Sequence, residues 1–489
     1  MKKYLEFSSL NLPSIAESVL ADWEKNKIFE KSVSSREGAE PFVFYEGPPS
    51  ANGIPGIHHV MARAMKDIFC RYQTLKGKQV KRKAGWDTHG LPIELSVEKT
   101  LGITKEDIGK KISIEEYNKA CRTEVMKYTH LWEDVTKKMG YWVDMGDPYI
   151  TYENTYIESV WWLLQDLYKK NLIYKGYTIQ PYSPAAGTGL SSHELNQPGC
   201  YKPVKDRTAT AMFKVIGNAK SALLFGNTNT QQDLFLLAWT TTPWTLPSNT
   251  ALAVGEKITY IVVDTFDPFS EKPITVILAQ DLFPKYFNTS GFNDSKKITA
   301  GINFAIDGKL VSGGKINRWT ILDGNRGTDL KGSDLVGLHY EQLLPYVTEF
   351  ENAENAFRVI AGDFVSTEDG TGIVHIAPTF GADDMRVAKA AGVPPMMVLN
   401  EFMRPVPLVD LRGKFRSEVK DEQFGLAGEF VKEDYLNEKE KAEELGKQKE
   451  YMKFLIKDTS KLNYLSVDER IVLKLQNEGK LFKKETYEH

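Results

Sequence analysis

The fifty residues Tyr45–Glu94 constrain this chain more than any other stretch. They read YEGPPSANGIPGIHHVMARAMKDIFCRYQTLKGKQVKRKAGWDTHGLPIE. An apolar run, Phe42–Tyr45, leads into a loop of Gly, Pro, Ser and Asn. The loop opens into an amphipathic helix over 58–75 with His58 and His59 in its first turn. A strand, a glycine loop and a helix N-terminus in that order can hold phosphates, because glycine lets backbone approach a ligand and the unpaired N–H groups of the first turn point at it.

The rest of the chain limits what such a loop can serve. At 489 residues the chain has room for two or three domains, each with its own core. No apolar run reaches membrane-spanning length, and MKKYLEFSSLNLPSIAESVL has two lysines but no apolar segment of a signal peptide. Three scattered cysteines, Cys70, Cys121 and Cys200, exclude a disulfide scaffold or a Cys-based zinc knuckle and fit a reducing cytoplasm. A net charge of −3 does not announce nucleic acid, although a binder needs only one basic face. The densest basic run, Lys76, Lys78, Lys81, Arg82 and Lys83, reads as a solvated turn between helix and strand.

Helical spacing of Ile15, Val19, Leu20, Trp23 and Ile28 predicts a helix over 13–31. Further helices are expected over 114–139 and 154–170, with Trp161, Trp162, Leu163 and Leu164 in the core. Alternating strand and helix signals over 40–180 predict an α/β, doubly wound parallel sheet. After residue 181, PYSPAAGTGLSSHELNQPG reads as a linker. Short β-rich runs follow at Ala209–Val215, Leu234–Trp239, Ile258–Val263, Ile274–Ala279 and Gly372–Ala377, and predict a separate, mainly β domain. Residues 429–453 are dominated by Glu and Lys, as expected of an exposed helix with i,i+4 ion pairs, and the last thirty residues again look helical.

GPPSANG with His59 six residues on, then GWDTHGLPIE, resembles the first half of a class I aminoacyl-tRNA synthetase, in the version carried by the isoleucyl enzymes. The resemblance implies a Rossmann-like nucleotide-binding domain, first half only, over 1–183. It implies an inserted, mainly β editing domain over 184–428 and a charged helical tail of the insertion over 429–489. It also implies that isoleucine and ATP, the latter with Mg²⁺, are joined as an aminoacyl-adenylate. Gly53, Gly56, His58 and His59 would cradle ATP, Asp87 would grip the amino acid's ammonium group, and Gly47 and Pro48 would wall the side-chain pocket. One departure stands out. The family's H-x-G-H signature falls on Gly56-Ile57-His58-His59, so the first His is replaced by Gly and the Gly by His.

Leu237–Asn249, LAWTTTPWTLPSN, and Gly370–Asp384, GTGIVHIAPTFGADD, resemble the editing pocket of isoleucyl, valyl and leucyl enzymes. Editing has a physical basis. One methylene, the difference between isoleucine and valine, is worth only about 1–3 kcal/mol in an apolar pocket, and this pair of amino acids is the standard worked case. Singly, a threonine run is ordinary strand and turn, and an Asp-Asp pair before a helix is an ordinary cap. Together they imply a metal-free ester hydrolase. Thr240, Thr241, Thr242 and Thr245 would orient water and the terminal ribose, with Asn249 assisting. His375 would set the size limit and Asp384 would hold the substrate ammonium, with Asp383 second choice.

The resemblance covers essentially all of the chain and about half of a full enzyme. A K-M-S-K-S loop and an anticodon-binding domain do not appear, and Lys457–Lys461, KDTSK, reads as a surface turn. The implied partner is tRNA(Ile), and the implied setting is a cytoplasmic monomer without membrane attachment or a metal site. The alternatives are a deacylase-type editing fragment without ligase activity, a non-catalytic tRNA-binding module, and a valyl-tRNA synthetase.

Overall fold

A computed structural model describes residues 10–176, 178–217, 232–290, 303–305, 310–312, 314–322, 330–454 and 458–488. The opening residues behind the signal-peptide reading, and Lys457 of KDTSK, lie outside these. The chain divides into two compact units, 1–176 and 177–489.

The first unit is α/β. Its elements are α1 (Leu12–Asn26), α2 (Ile28–Ser34), β1 (Pro41–Tyr45), α3 (Ile57–Leu75), β2 (Gln79–Trp86), α4 (Leu91–Leu101), α5 (Ile114–Val125), α6 (Thr129–Lys138), β3 (Asp144–Ile150) and α7 (Asn154–Lys169). The three strands are parallel in the order β1-β2-β3, with α3 as the crossover between the first two. Several sequence expectations change here. The helix expected over 13–31 breaks at Lys27, whose φ is 50°. The helix expected over 114–139 breaks after Val125, and the Tyr128 N–H there bonds the Ala51 carbonyl of the glycine loop at 3.1 Å. Arg82 is buried in β2, where it bonds Thr74 Oγ1 (2.8 Å), the Trp142 carbonyl (3.1 Å) and Asp67 (3.4 Å). These partners satisfy the guanidinium's charge away from water, which the lysine-rich context concealed.

The face α3 turns to β2 is therefore polar: Arg63, Asp67, Cys70 and Thr74 are its buried residues. Its apolar residues Ile57, Met61, Met65, Ile68, Phe69 and Tyr72 are exposed. Trp161, Trp162, Leu163 and Leu164 of α7, expected in the core, are exposed too. Hydrophobic spacing reports that a helix face needs cover, without saying that this stretch of chain supplies it.

The second unit is built on an eleven-stranded sheet among the described residues. Its strands are β4 (Lys205–Lys214), β5 (Leu234–Thr240), β6 (Ala251–Val254), β7 (Thr259–Phe266), β8 (Pro273–Ala279), β9 (Asn303–Ala305), β10 (Arg318–Ile321), β11 (Leu330–Lys331), β12 (Arg358–Ala361), β13 (Ile373–Ile376) and β14 (Leu481–Glu488). The main path runs β9-β10-β7-β8-β5-β13-β6-β12, β11 pairs with β7, and β4 lies between β5 and β14. Three longer helices, α8 (Ala382–Ala391), α9 (Glu438–Tyr451) and α10 (Val467–Asn477), belong to this unit. The stretch read as a linker contains a two-stranded ribbon, Tyr182–Ser183 with Thr188–Gly189, and a helical turn, Ser192–Leu195.

Aliphatic residues alternate or run continuously through these strands and fill a contiguous core that includes Phe213, Leu236, Leu252, Tyr260, Ile277 and Ile471. The chain's last strand corrects the helical reading of the final residues. Leu481–Glu488 pairs antiparallel with β4 along its length, and that free edge decides the conformation over local propensity. Of the charged stretch 429–453, Glu438–Tyr451 is helical, with a Lys439–Glu443 pair at 3.9 Å.

Candidate active sites

In the first unit, Gly56 precedes α3, and its N–H donates to Nδ1 of His59 at 2.9 Å. That bond makes Nδ1 an acceptor and leaves the proton of the neutral ring on Nε2. Burial, then His58 and the Arg63 cation, hold the His59 pKa below the ordinary histidine value. The His59 ring meets Trp132 edge-on at 4.7 Å, and Trp132 Nε1 donates to the Gly53 carbonyl at 2.9 Å, so one tryptophan steadies both helix start and loop.

The exchanged signature has a spatial reading. The His58 ring lies on His59 with centroids 3.8 Å apart, and its Cε1 would be 2.8 Å from a Cβ placed on Gly56. His58 therefore occupies room that a side chain at position 56 would need.

Asp87 follows β2, and its N–H bonds the Pro49 carbonyl at 3.2 Å, which sets this carboxylate beside the Gly47-Pro48 loop. Gly85 is required by close approach, because a Cβ there would lie 2.4 Å from the Tyr149 ring. Residues that sequence reasoning missed complete the frame. Buried Glu46 accepts from Lys66 (2.8 Å) and from the Tyr141 hydroxyl, and Tyr149 donates to the Glu46 carbonyl. Arg63 is buried between the Trp132 and Tyr141 rings. Only their three-dimensional neighbours mark them.

In the second unit a cavity of about 430 Å³ is lined by Thr240, Thr241, Thr242, Thr245, His375 and Asp384, together with Trp239, Phe364, Gly370 and Phe380. The end of β5 and the helical turn Pro243–Ser248 after it deliver the threonines, β13 delivers His375, and the first turn of α8 delivers Asp384. Gly372 has φ +75° and approaches so closely that a Cβ would meet that of Ala279 at 2.4 Å. Asp384 Oδ2 accepts from the Ala377 N–H at 2.8 Å, and burial, the largest influence, pushes its pKa up to about 6. Asp383 turns outward to Arg386 at 3.3 Å and is absent from the cavity wall.

The hydroxyls form a chain. Thr245 Oγ1 donates to the Thr242 carbonyl (2.8 Å) and lies 2.9 Å from His375 Nε2. Thr240 Oγ1 accepts from the Thr242 N–H at 3.0 Å, and Thr242 Oγ1 stands 3.3 Å from Thr240 Oγ1 and 3.4 Å from Thr245 Oγ1. Burial lowers the His375 pKa to about 4, so its ring is neutral near pH 7. Asn249 stands behind His375, outside the cavity wall, with Nδ2 3.4 Å from Nδ1. Sequence reasoning missed Asp468 of α10, a buried carboxylate that accepts from the Trp244 N–H at 2.8 Å and pairs with Lys432 at 3.2 Å. It anchors the turn that carries the threonines.

The first unit thus sets a glycine loop and a carboxylate at a helix start. The second gathers threonine hydroxyls, a histidine and a carboxylate on one cavity. Residues 18–211 match the family described as tRNA synthetases class I (I, L, M and V). Over those residues the chain carries that family's domain. Along its whole length it is similar to enzymes named isoleucine–tRNA ligase. That of Cytophaga hutchinsonii is 56% identical over 487 residues, 100% of this chain and 40% of the relative. That of Porphyromonas gingivalis is 60% identical over 414 residues, 85% of this chain and 34% of the relative. A Bacteroides fragilis protein of the same name is 56% identical over 449 residues, 89% and 37% of the respective chains. The chain thus spans about 40% or less of the length of these relatives. No helix among the described residues is long and apolar enough to cross a membrane, and no cluster of three or more His, Cys, Asp or Glu there could hold a metal ion.

Proposed function

We propose that this chain is the part of an isoleucine–tRNA ligase that carries one half of the adenylation site and the editing pocket. In the first reaction the isoleucine carboxylate attacks the α-phosphate of ATP, brought with its Mg²⁺, and pyrophosphate leaves. The protein's share is positioning and charge stabilisation. The first turn of α3 faces the phosphates, with His59 Nε2–H free to donate because Nδ1 is already engaged. Asp87 opposes the amino acid's ammonium group, and Gly47 and Pro48 wall its side chain. His58 stands in for the donor missing at position 56. This step belongs to the longer protein. Asp87→Ala in a full-length version should abolish isoleucine-dependent ATP–pyrophosphate exchange, and normal exchange kinetics there would remove Asp87 from the site.

The second reaction is hydrolysis of valyl-tRNA(Ile) in the cytoplasm. Water adds to the ester carbonyl, the tetrahedral adduct collapses, and the ribose oxygen leaves with a proton. Thr240 and Thr242 hold the water and ribose, ionised Asp384 holds the ammonium, and His375 limits the side chain's size. The observation that carries this reading is the convergence of the threonine hydroxyls, a neutral histidine and Asp384 on one cavity. The test is release of valine from preformed valyl-tRNA(Ile) by this chain, with isoleucyl-tRNA(Ile) as control. Selective release of valine is expected. Equal or absent release, from tRNA and from a minihelix ester alike, would overturn the reading.

A further inference from the structure

The polarity of the hydrogen bonds behind the editing cavity can be followed to its source. The Asn249 amide is buried, and its Nδ2 lies 2.8 Å from the Ala251 carbonyl, which can only accept. The amide nitrogen must therefore face Ala251, and the oxygen must face the other way. On that side stands the hydroxyl of Tyr340, 2.7 Å from Oδ1, so Tyr340 is the donor. The second Nδ2 hydrogen is shared between His375 Nδ1 and the Ile376 carbonyl, each 3.4 Å away, so Nδ1 accepts and the ring proton sits on Nε2. Nε2–H donates to Thr245 Oγ1, and the Thr245 hydroxyl in turn donates to the Thr242 carbonyl. Each donor and acceptor from Tyr340 to the Thr242 carbonyl is then assigned in one direction. The hydroxyls of Thr240 and Thr242 are left to turn toward a ligand.

Tyr340 is itself held firmly. It is 1% exposed, meets Phe213 edge-on at 5.3 Å, and its N–H bonds the Phe357 carbonyl at 3.0 Å. Phe357 has φ +55°, a costly conformation for a bulky residue, and its own N–H bonds the carbonyl of Thr250, next to Asn249, at 2.7 Å. A strained strut thus ties the backbone of Tyr340 to the segment whose side chain it orients.

We propose that Tyr340, outside the cavity wall, is a positioning residue for editing specificity: through Asn249 it fixes His375 as the Nε2–H tautomer and so holds the ring as a rigid size limit. This rests on the editing reading above. Without the Tyr340 hydroxyl, Asn249 Oδ1 is a buried acceptor with no donor, and leaving it so is costly. The amide then turns to find another donor, releases His375 Nδ1, and the ring samples both tautomers and more than one orientation.

The experiment uses this chain labelled with ¹⁵N-histidine. Imidazole correlations are recorded from pH 5.5 to 8, with the His375 signals assigned by their loss in His375→Gln. Wild type should show a proton on Nε2 and none on Nδ1 throughout. Tyr340→Phe should populate the second tautomer. It should also lower the ratio of kcat/KM for valyl over isoleucyl ester about tenfold, through faster hydrolysis of the isoleucyl ester. General destabilisation would slow both esters and leave the ratio alone. Asn249→Asp keeps the Tyr340 bond but turns the partner of Nδ1 into an acceptor, so His375 should protonate on Nδ1 even where Tyr340→Phe fails to fold. Unchanged tautomer and ratio in Tyr340→Phe, or Nδ1 left without a proton in Asn249→Asp, would overturn the proposal. Failure of wild type to release valine selectively would instead strike the editing reading, which the tautomer measurement does not depend on.

Discussion

The two units bury different things. The second encloses aliphatic side chains from nearly every strand, and Thr245, His375 and Asp384 of its cavity are held by hydrogen bonds to one another or to backbone. The first packs a helix against its sheet through Arg63, Asp67, Cys70 and Thr74 and keeps Ile68 (64% exposed) and Phe69 (66%) outside. Its apolar clusters are small, such as Ala51, Trp86 and Trp132. An apolar stripe of this length marks a face made to be covered, so the first unit is a half-interface and the second a finished core.

Several substitutions would break or sharpen that contrast. The largest effect should come from Asp384→Ala, which removes the cavity's carboxylate. Valyl ester hydrolysis should fall by about 10²–10³, the scale for losing one preorganised electrostatic contact, while circular dichroism shows a folded chain. Retained hydrolysis would detach Asp384 from the chemistry. Next, Leu236→Ala in the buried β5 should cost about 2–5 kcal/mol in urea unfolding of the second unit. The matching change on the first unit, Phe69→Ser, should stay within about 0.5 kcal/mol and reduce binding of a hydrophobic dye. A large loss from Phe69→Ser would mean that the stripe is already covered.

Asp468→Asn keeps an acceptor for the Trp244 N–H but removes the charge that faces Lys432. It should slow hydrolysis several-fold with a smaller loss of stability, measured by single-turnover kinetics and urea titration. The smallest effect is pH dependence. Burial raises the Asp384 pKa to about 6, so the ammonium-binding carboxylate is protonated as pH falls through that value. Hydrolysis should halve near pH 6 and fall below it. The stability sign is opposite: the raised pKa favours the folded state below the unfolded carboxylate value, and that contribution is lost as pH rises through about 6. A rate flat from pH 5 to 8 would show that this ionisation does not control the step.

Much of this was legible in the sequence for local reasons. The strands at Leu234–Thr240 and Pro273–Ala279 were, since a short apolar run between breakers has few other uses. The loop before α3 and the threonine turn were legible because their chemistry is contiguous. What stayed hidden depends on distant partners. Arg82 reads as one more surface cation until Asp67 and Thr74 are placed beside it. Leu481–Glu488 is rich in Lys and Glu, and only the edge of β4 makes it a strand. Tyr340 lies 91 residues from Asn249, and no local pattern joins them. Trp161 and Trp162 were misplaced for the converse reason: their hydrophobicity is real, and the described chain leaves it exposed.

The bond from Asp468 to the Trp244 N–H spans 224 positions. During synthesis the threonine turn leaves the ribosome long before the carboxylate that holds it, and β4 waits longer still for β14. The threonine cavity is therefore finished late. A nascent chain stopped before residue 468 would display the threonines, His375 and Asp384 without the anchor that sets their turn, so hydrolysis should switch on with chain length as a step at the end of this segment.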